Sequence, residues 1–542
     1  MSSVTDHIQL VKSQEKPYDS VFNKREWLYI NDTTTSYDQG TSIIETTSLS
    51  NNSKYLDYNS AYLSVPLLVT LTSNTATNTA LSVDMPYMKS VSFKQSFLSM
   101  INSITVDLNG QQMIQQNQLI DIYNHFRLLT SESWTTQNRW SSIGFYPDVV
   151  ESAGYATVNT EYAPLETTSN NGTLNIGLSE RLQYVLDDEG ETFEGVATSV
   201  LTNLITQGEL AKLYVSHISK KVAGGATQSP VLQYSVKASI YLKDIHPLFE
   251  VMPISKSLNF KIQIFWNNSV VNAEHDGSVW TGQASQYRAY NGTLPLMLNN
   301  FTDGFNSAPL GTLRASVYVG DTCHDSTQKG LSGVEGGSVG KQVELHVQAV
   351  QMLEDIESNY TLNSVRDISY NDYYQFTLRN IQGGDSFNHL VSNAISNLKA
   401  VLIVPQLNSL NNNVNVFDDG LPQLMGHINN FNVLVGGVNV LMQDSRYTFQ
   451  SFNNEFFNEF GVNGNQSRGL GSSLIDYKSW LHKPYYYVNC SRVPMEQQKA
   501  YRSLQIKGMN SSVLPMDYVI YAIYEKNFKL HVVSGNIDKI ES

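Results

Sequence analysis

The chain has 542 residues, 41% of them hydrophobic and only 15% charged, and a formal net charge of −14. That length exceeds one ordinary core and implies two domains, while the apolar fraction excludes a chain disordered by composition. The densest basic stretch holds only Lys212, Lys220 and Lys221, which argues against direct, sequence-specific nucleic-acid binding, and no run of 18 apolar residues exists to span a membrane as a helix.

Residues 1–55 are polar and aperiodic and read as an N-terminal arm, either disordered or ordered on a neighbour. Met1 to Tyr29 contains no apolar stretch typical of a secretory leader, so synthesis in the cytosol is expected. Structure begins with the apolar run Tyr62–Leu71, where Pro66 marks an edge or a bulge. Ile104, Val106 and Leu108 alternate with polar residues and reach the hairpin signal Asn109–Gly110. Leu119, Ile122, Tyr123, Phe126 and Leu129 then recur at helical spacing, with Asn117 as the expected cap. Residues 131–228 read as a large insertion with a short helix near Val200–Gln207. Strands return at Leu232–Leu242 and at Leu258–Trp266, the latter expected to close the first domain.

The Asn/Gly/Ser/Thr-rich segment 276–310 reads as the linker, so the expected domains are 56–275 and 311–542. In the second half, Leu313–Val319, Val343–Val350, Tyr373–Leu378 and Leu398–Val404 read as strands. Phe431–Val435 turns at Gly436–Gly437, and Phe449, Phe452, Phe456 and Phe460 then mark a helix over 446–460. Asp444 or Ser445 is the expected cap and Gly461 the expected stop. Tyr518–Tyr524 and Phe528–Val532 close the chain as strands.

The two halves rhyme. Each runs strand, tight turn, short strand, aromatic helix. Each also ends on a strand containing Asn-Phe-Lys-Ile/Leu, at Asn259–Ile262 and Asn527–Leu530. A duplicated all-β domain follows: two tandem eight-stranded antiparallel jelly-roll sandwiches with large loop insertions and one short helix in each.

On Ser103–Gly110 leading into the 117–130 helix, and on Ser473–Leu481 followed by Pro484–Val488, the layout resembles the double jelly-roll major capsid proteins of the adenovirus-hexon lineage, most closely those of virophages and polinton-like viruses. The resemblance implies a homotrimer of pseudo-hexagonal outline that builds an icosahedral shell in the virion. It also implies minor capsid or penton partners, and an inner membrane as a further partner. Outward towers would come from 131–228 and 267–310, or from 405–430. Tyr485, Tyr486 and Tyr487 are then candidate subunit contacts, the alternative being packing inside the sandwich. Two other classes stand beside this one. A carbohydrate-binding or carbohydrate-cleaving β protein would show an exposed aromatic platform near carboxylates, and a receptor-binding spike would show a shaft repeat.

Catalytic and cofactor signatures are weak, and no catalytic, cofactor or metal residues are assigned. Gly333–Lys341 resembles a phosphate loop, but Glu335 and Gln342 stand where it needs Gly and Ser/Thr. Gly336–Gly340 fits the nucleophile-elbow spacing without the strand and helix it requires. Asp187–Glu191 lacks the alternating ligand spacing of a calcium loop. Cys323 and His324 are adjacent, hence on opposite faces of a strand. His246 and His482 read as ordinary polar histidines at element edges. Cys323 and Cys490 read as reduced thiols, against a disulfide or an intermolecular bond.

Overall fold

The computed structural model describes residues 21–34, 37, 40–50, 54–73, 91–147, 155–158, 161–164, 218–221, 231–275, 280–281, 288–289, 295–298, 311–320, 342–407, 426–444, 446–462, 474–491, 500–513 and 515–541. The first half contributes strands β1 (Phe22–Asn31), β2 (Thr41–Glu45), β3 (Tyr55–Ser73), β4 (Ile101–Leu108) and β5 (Gln111–Asn117). Helix α1 (Ile120–Ser131) follows, then β6 (Val231–Tyr241), helix α2 (Pro247–Val251), β7 (Phe260–Trp266), β8 (Ser269–His275), β9 (Gly311–Val319) and β10 (Glu344–Met352). Strands β1-β10-β3-β6 form one antiparallel layer and β2-β7-β4-β5 the facing one.

Helix α3 (Glu354–Leu362) joins the halves. The second contains β11 (Val365–Ile381), β12 (Ser386–Ile395), β13 (Leu398–Leu407), β14 (Ile428–Val435) and β15 (Val438–Asn439). Helices α4 (Phe449–Val462) and α5 (Tyr477–His482) come next, then β16 (Tyr486–Asn489), β17 (Arg502–Asn510), β18 (Met516–His531) and β19 (Ile537–Glu541). Its layers are β11-β18-β13-β16 and β12-β17-β14-β15, with β19 added on β18. In both halves the eight framework strands pair in the order first-eighth-third-sixth and second-seventh-fourth-fifth. Each half is therefore a jelly roll, as expected.

The sequence pattern explains the layers. Along β7 the buried side chains are Phe260, Ile262, Ile264 and Trp266, with Lys261 exposed between them. Ile262 faces Val106 on one neighbour and Ile44 on the other. Both fourth-to-fifth strand turns use two residues of positive φ: Asn109 (49°) with Gly110 (82°), and Gly436 (61°) with Gly437 (81°). That left-handed pair matches the twist of a two-residue hairpin and selects Asn-Gly and Gly-Gly. Pro66 lies inside β3, where it faces Lys237 of β6. On the opposite side β10 stops at Ser64 and β9 begins at Leu67. The missing N–H thus falls where the partner strand changes, so no bulge is needed.

Three expectations are corrected. The arm 1–55 is not an appendage over its described part: β1 pairs with β10, and β2 with β7. Tyr37, between them, donates its hydroxyl to the Asp32 carboxylate (2.9 Å) and accepts the Val343 N–H (2.9 Å). Segment 276–310 is not the linker, because β9 and β10, which follow it, both pair with β3 of the first sandwich. The described part of the first domain is therefore 21–352 and that of the second 365–541. Finally, Leu258–Trp266 lies in the seventh strand and not the last, so the Asn-Phe-Lys echo falls on a seventh strand in one half and an eighth in the other. The physical cause is the long connection after β7, whose strands β8 and β9 extend the sheet along the far end of β3. The expected helix near Val200–Gln207 lies outside the described residues.

A chain that starts at Thr46 lacks β1 and β2, and with them one partner each of β10 and β7. We predict that it shows no cooperative thermal transition by circular dichroism. A transition matching that of the full chain would show these strands to be dispensable.

Candidate functional site, the seam between the two jelly rolls

Helix α1 carries the seam. Its first-half neighbours hold one side, where Arg127 donates to the carbonyls of Lys243 (3.1 Å) and Asp244 (3.3 Å) and His125 Nε2 lies 3.0 Å from Ser96 Oγ. The other side meets the second sandwich. Tyr123 packs against Tyr373 (ring centroids 4.5 Å apart) and Tyr521 (5.5 Å). Phe126 is enclosed by Tyr485 (5.0 Å), Phe456 (5.7 Å), Tyr487 (6.1 Å) and Phe452 (6.5 Å). Covered on both sides, the helix buries even Asp121, Asn124 and His125. Asn117 is not its cap. That residue ends β5, and the cap position is Leu119, at φ 51°, with no side-chain cap bond. Its carbonyl instead accepts the Tyr521 hydroxyl at 2.7 Å, so a tyrosine of the second sandwich bonds the entrance of a helix of the first.

This geometry corrects the assignment of Tyr485, Tyr486 and Tyr487 as subunit contacts. All three are buried within the chain, and a side chain with no exposed area offers nothing to a neighbour. Alternation along the strand divides them. Tyr485 and Tyr487 point at Phe126, while Tyr486 turns inward to Phe431 and Tyr447 (both 5.1 Å) and its hydroxyl accepts the Ile428 N–H. Burial pushes the Tyr373, Tyr486 and Tyr521 hydroxyls far above the usual phenol range, so they remain neutral. On α4, Asp444 does not cap. It accepts from Asn432 (2.8 Å) and Lys507 (2.7 Å), Thr448 and Ser451 bond each other at the helix start, and the helix runs past Gly461 to Val462.

A polar cluster lies in the same seam. Asp372 on β11 accepts from Lys526 Nζ (2.8 Å) and the Tyr524 hydroxyl (3.2 Å). From the first sandwich, His246 Nε2 approaches it at 3.4 Å. His246 Nδ1 accepts the Leu248 N–H (3.1 Å) and so caps α2, which places the ring proton on Nε2, where it can donate to Asp372. Lys526 Nζ and the Tyr370 hydroxyl both donate to the Met113 carbonyl, at 3.1 and 2.7 Å. Burial alone would raise the Asp372 pKa, but His246 and Lys526 outweigh it and hold the carboxyl well below the usual range. Burial pushes His246 below its ordinary 6.5 against the pull of Asp372, with Arg127 and Lys526 adding to the decrease. Three ionisable groups buried together across the seam can align two domains. Sequence reading missed Asp372 and Lys526; the available signal was an Asp and a Lys inside otherwise aromatic strand runs.

At the far end, the Lys256 N–H donates to the Val532 carbonyl (2.7 Å) and Asn109 Nδ2 to the Gly535 carbonyl. Gly535 has φ +73°, and a Cβ there would overlap the Ser257 carbonyl, so the sandwiches touch backbone to backbone. Gly333–Lys341, Asp187–Glu191, Cys323, His324 and the His482 side chain lie outside the described residues. Among the described residues no three His, Cys, Asp or Glu side chains cluster as a metal site, and no helix is long and apolar enough to cross a membrane. Cys490 is a buried thiol with Sγ 3.6 Å from the Val488 carbonyl.

Two measurements check the seam. Phe126→Ala should cost about 3–5 kcal/mol, the usual range for deleting an enclosed aromatic ring, and should let protease cut between the sandwiches; unchanged denaturant unfolding would refute it. Because the pKa values of His246 and Asp372 are both lowered on folding, the unfolded chain takes up protons first and stability falls with pH. The His246 contribution is lost as pH falls below about 6.5, and that of Asp372 below about 4. His246→Asn keeps a capping oxygen and should flatten the drop in unfolding midpoint between pH 7 and 5. A wild-type-like slope in that variant would refute the assignment.

No protein-family model and no curated protein sequence matches the chain. Solved structures do. A chain of the Sputnik virophage structure determined by cryo-EM aligns over 96% of this chain and 89% of its own, with 12% identity and a TM-score of 0.52. The mavirus major capsid protein aligns over 97% and 90% (9% identity, TM-score 0.49), and the Faustovirus major capsid protein over 94% and 91% (11% identity, TM-score 0.43). At these identities the likeness is one of fold. Its near-complete coverage spans both sandwiches, so the chain's double jelly roll is the fold of the aligned Sputnik virophage chain.

Proposed function

We propose that this chain is the major capsid protein of a virus, assembling as homotrimers of pseudo-hexagonal outline that build an icosahedral shell. The observation that carries the reading is the double jelly roll itself: two sandwiches of identical strand order, locked by a buried aromatic seam into one continuous core. A shell subunit needs such rigidity, because the angle between its two halves sets the angle at which neighbours meet. Three chains bring six similar sandwiches into one closed ring, and heterologous contacts close when their rotation does.

Net charge and the resemblance carry the remaining parts of the reading. A chain of net charge −14 stays soluble at high concentration before assembly and is poorly suited to wrapping a polyanion. The resemblance to the double jelly-roll capsid proteins supplies the partners of this reading: other copies of the chain, minor capsid or penton proteins, and an inner membrane, with the virion as its final location and the host cytoplasm as the place of synthesis. Tower loops are assigned to 131–228 and 267–310, or to 405–430.

Size-exclusion chromatography with light scattering tests the proposal directly. The expected mass is near three times the 60.7 kDa of one chain, with larger closed shells by electron microscopy at higher concentration. A strict monomer at every concentration would overturn it.

A further inference from the structure

The two sandwiches treat the same sheet differently. In the second, the layer β11-β18-β13-β16 is covered, with Tyr373, Tyr521 and Tyr487 under the first sandwich's α1. In the first, the equivalent layer β1-β10-β3-β6 bears an aromatic row that stands open. Trp27 is 50% exposed and Tyr29 65%. Trp27 meets Tyr62 edge-on at 5.5 Å, Tyr62 stacks on His346 at 4.8 Å, and Tyr29 lies over His346 at 5.8 Å. Tyr241 continues the row at 5.8 Å from Tyr62. A contiguous aromatic surface of this kind marks an interaction site.

The complementary surface is on the same molecule. The elements of the first sandwich that cover its partner are the strand β5 and the helix after it. Their equivalents in the second sandwich, β15 and the segment and helices that follow, leave apolar side chains exposed: Val438 (70%), Met442 (99%), Tyr477 (62%) and Leu481 (41%). One end of the chain thus presents an uncovered sheet, and the other presents the elements that cover such a sheet within the chain.

We propose that β15 and the segment and helices after it, through the exposed Val438, Met442, Tyr477 and Leu481, seat on the Trp27–Tyr29–Tyr62–His346 face of the next copy, repeating between chains the seam found within a chain. The occupant is a second copy because the covering surface is present at the equivalent position of this same chain. The contact is heterologous, so each copy uses one end of each kind and no partner is left over in a closed ring. Trp27 and Tyr29 are the anchors, large rings whose burial dominates such contacts. This proposal rests on the capsid reading and names the surface that reading needs.

The test uses the full chain with W27S/Y29S on one surface and M442K/L481K on the other, all at exposed side chains. Each variant should keep its thermal midpoint yet run at one chain mass where the wild type runs at three. Mixing the two variants leaves one intact face on each, and should give a two-chain species that grows no further. Should W27S/Y29S fail to fold, Y29K carries the same test. Trimers persisting in either variant, with or without loss of glycan binding on an array, overturn the proposal, as does a mixture that stays monomeric. A monomeric wild type would instead overturn the capsid reading itself, so the two failures are distinct.

Discussion

The enclosure of Phe126 is the constraint on which the rest of the structure depends. A jelly roll alone buries one face of each sheet and leaves the other to water. Here the outer face of β11-β18-β13-β16 is covered by a helix borrowed from the other sandwich, and β18 is buried at every position from Met516 to Tyr524. Burying a ring on that scale contributes roughly 1.5–3 kcal/mol. The seam repeats the contact with Tyr123, Tyr373, Tyr485, Tyr487 and Tyr521, and most buried apolar residues of both sandwiches merge into one cluster. The halves are therefore held together by core packing, which is steep in distance, and not by a linker, which is soft.

What the sequence disclosed follows the range of the interactions involved. The two hairpin turns were legible because Asn109–Gly110 and Gly436–Gly437 meet a purely local requirement for positive φ. The period-two strand at Phe260–Trp266 and the helical spacing from Leu119 to Leu129 were legible because one side of each element is apolar. The identity of the eighth strand was not. Glu344–Met352 reads as an ordinary strand, and nothing local tells that its partners are Phe22–Asn31 and Tyr55–Ser64. Phe22–Asn31 looked like an arm because Asn23, Lys24, Arg25, Glu26 and Asn31 interrupt its apolar positions.

The tyrosine run shows the same limit at the level of the site. Alternation predicts that Tyr485 and Tyr487 share a face and that Tyr486 takes the other. It does not say what covers that face. The covering ring, Phe126, belongs to another domain, and only the assembled chain brings it within 5.0 Å of Tyr485. Tyrosine-rich composition was thus a correct sign of extensive aromatic contact, with the contact lying inside the chain and not at Tyr485–Tyr487 between chains.

The buried charges in the seam need a separate explanation, because burying ions is a poor way to gain stability. An apolar group of matching volume in place of an ion pair is often neutral or better. Phe126 and its neighbours already supply cohesion, so Asp372 and Lys526 add something else. Aromatic rings slide over one another at small cost, whereas a carboxylate that must meet Lys526, Tyr524 and His246 together tolerates little displacement, since each lost bond leaves a buried charge uncompensated. Lys526 and Tyr370 converge on the single Met113 carbonyl of β5 and so fix that strand along β11. The apolar part of the seam holds the sandwiches together and the polar part sets their register. A subunit that must present two surfaces at one defined angle needs both.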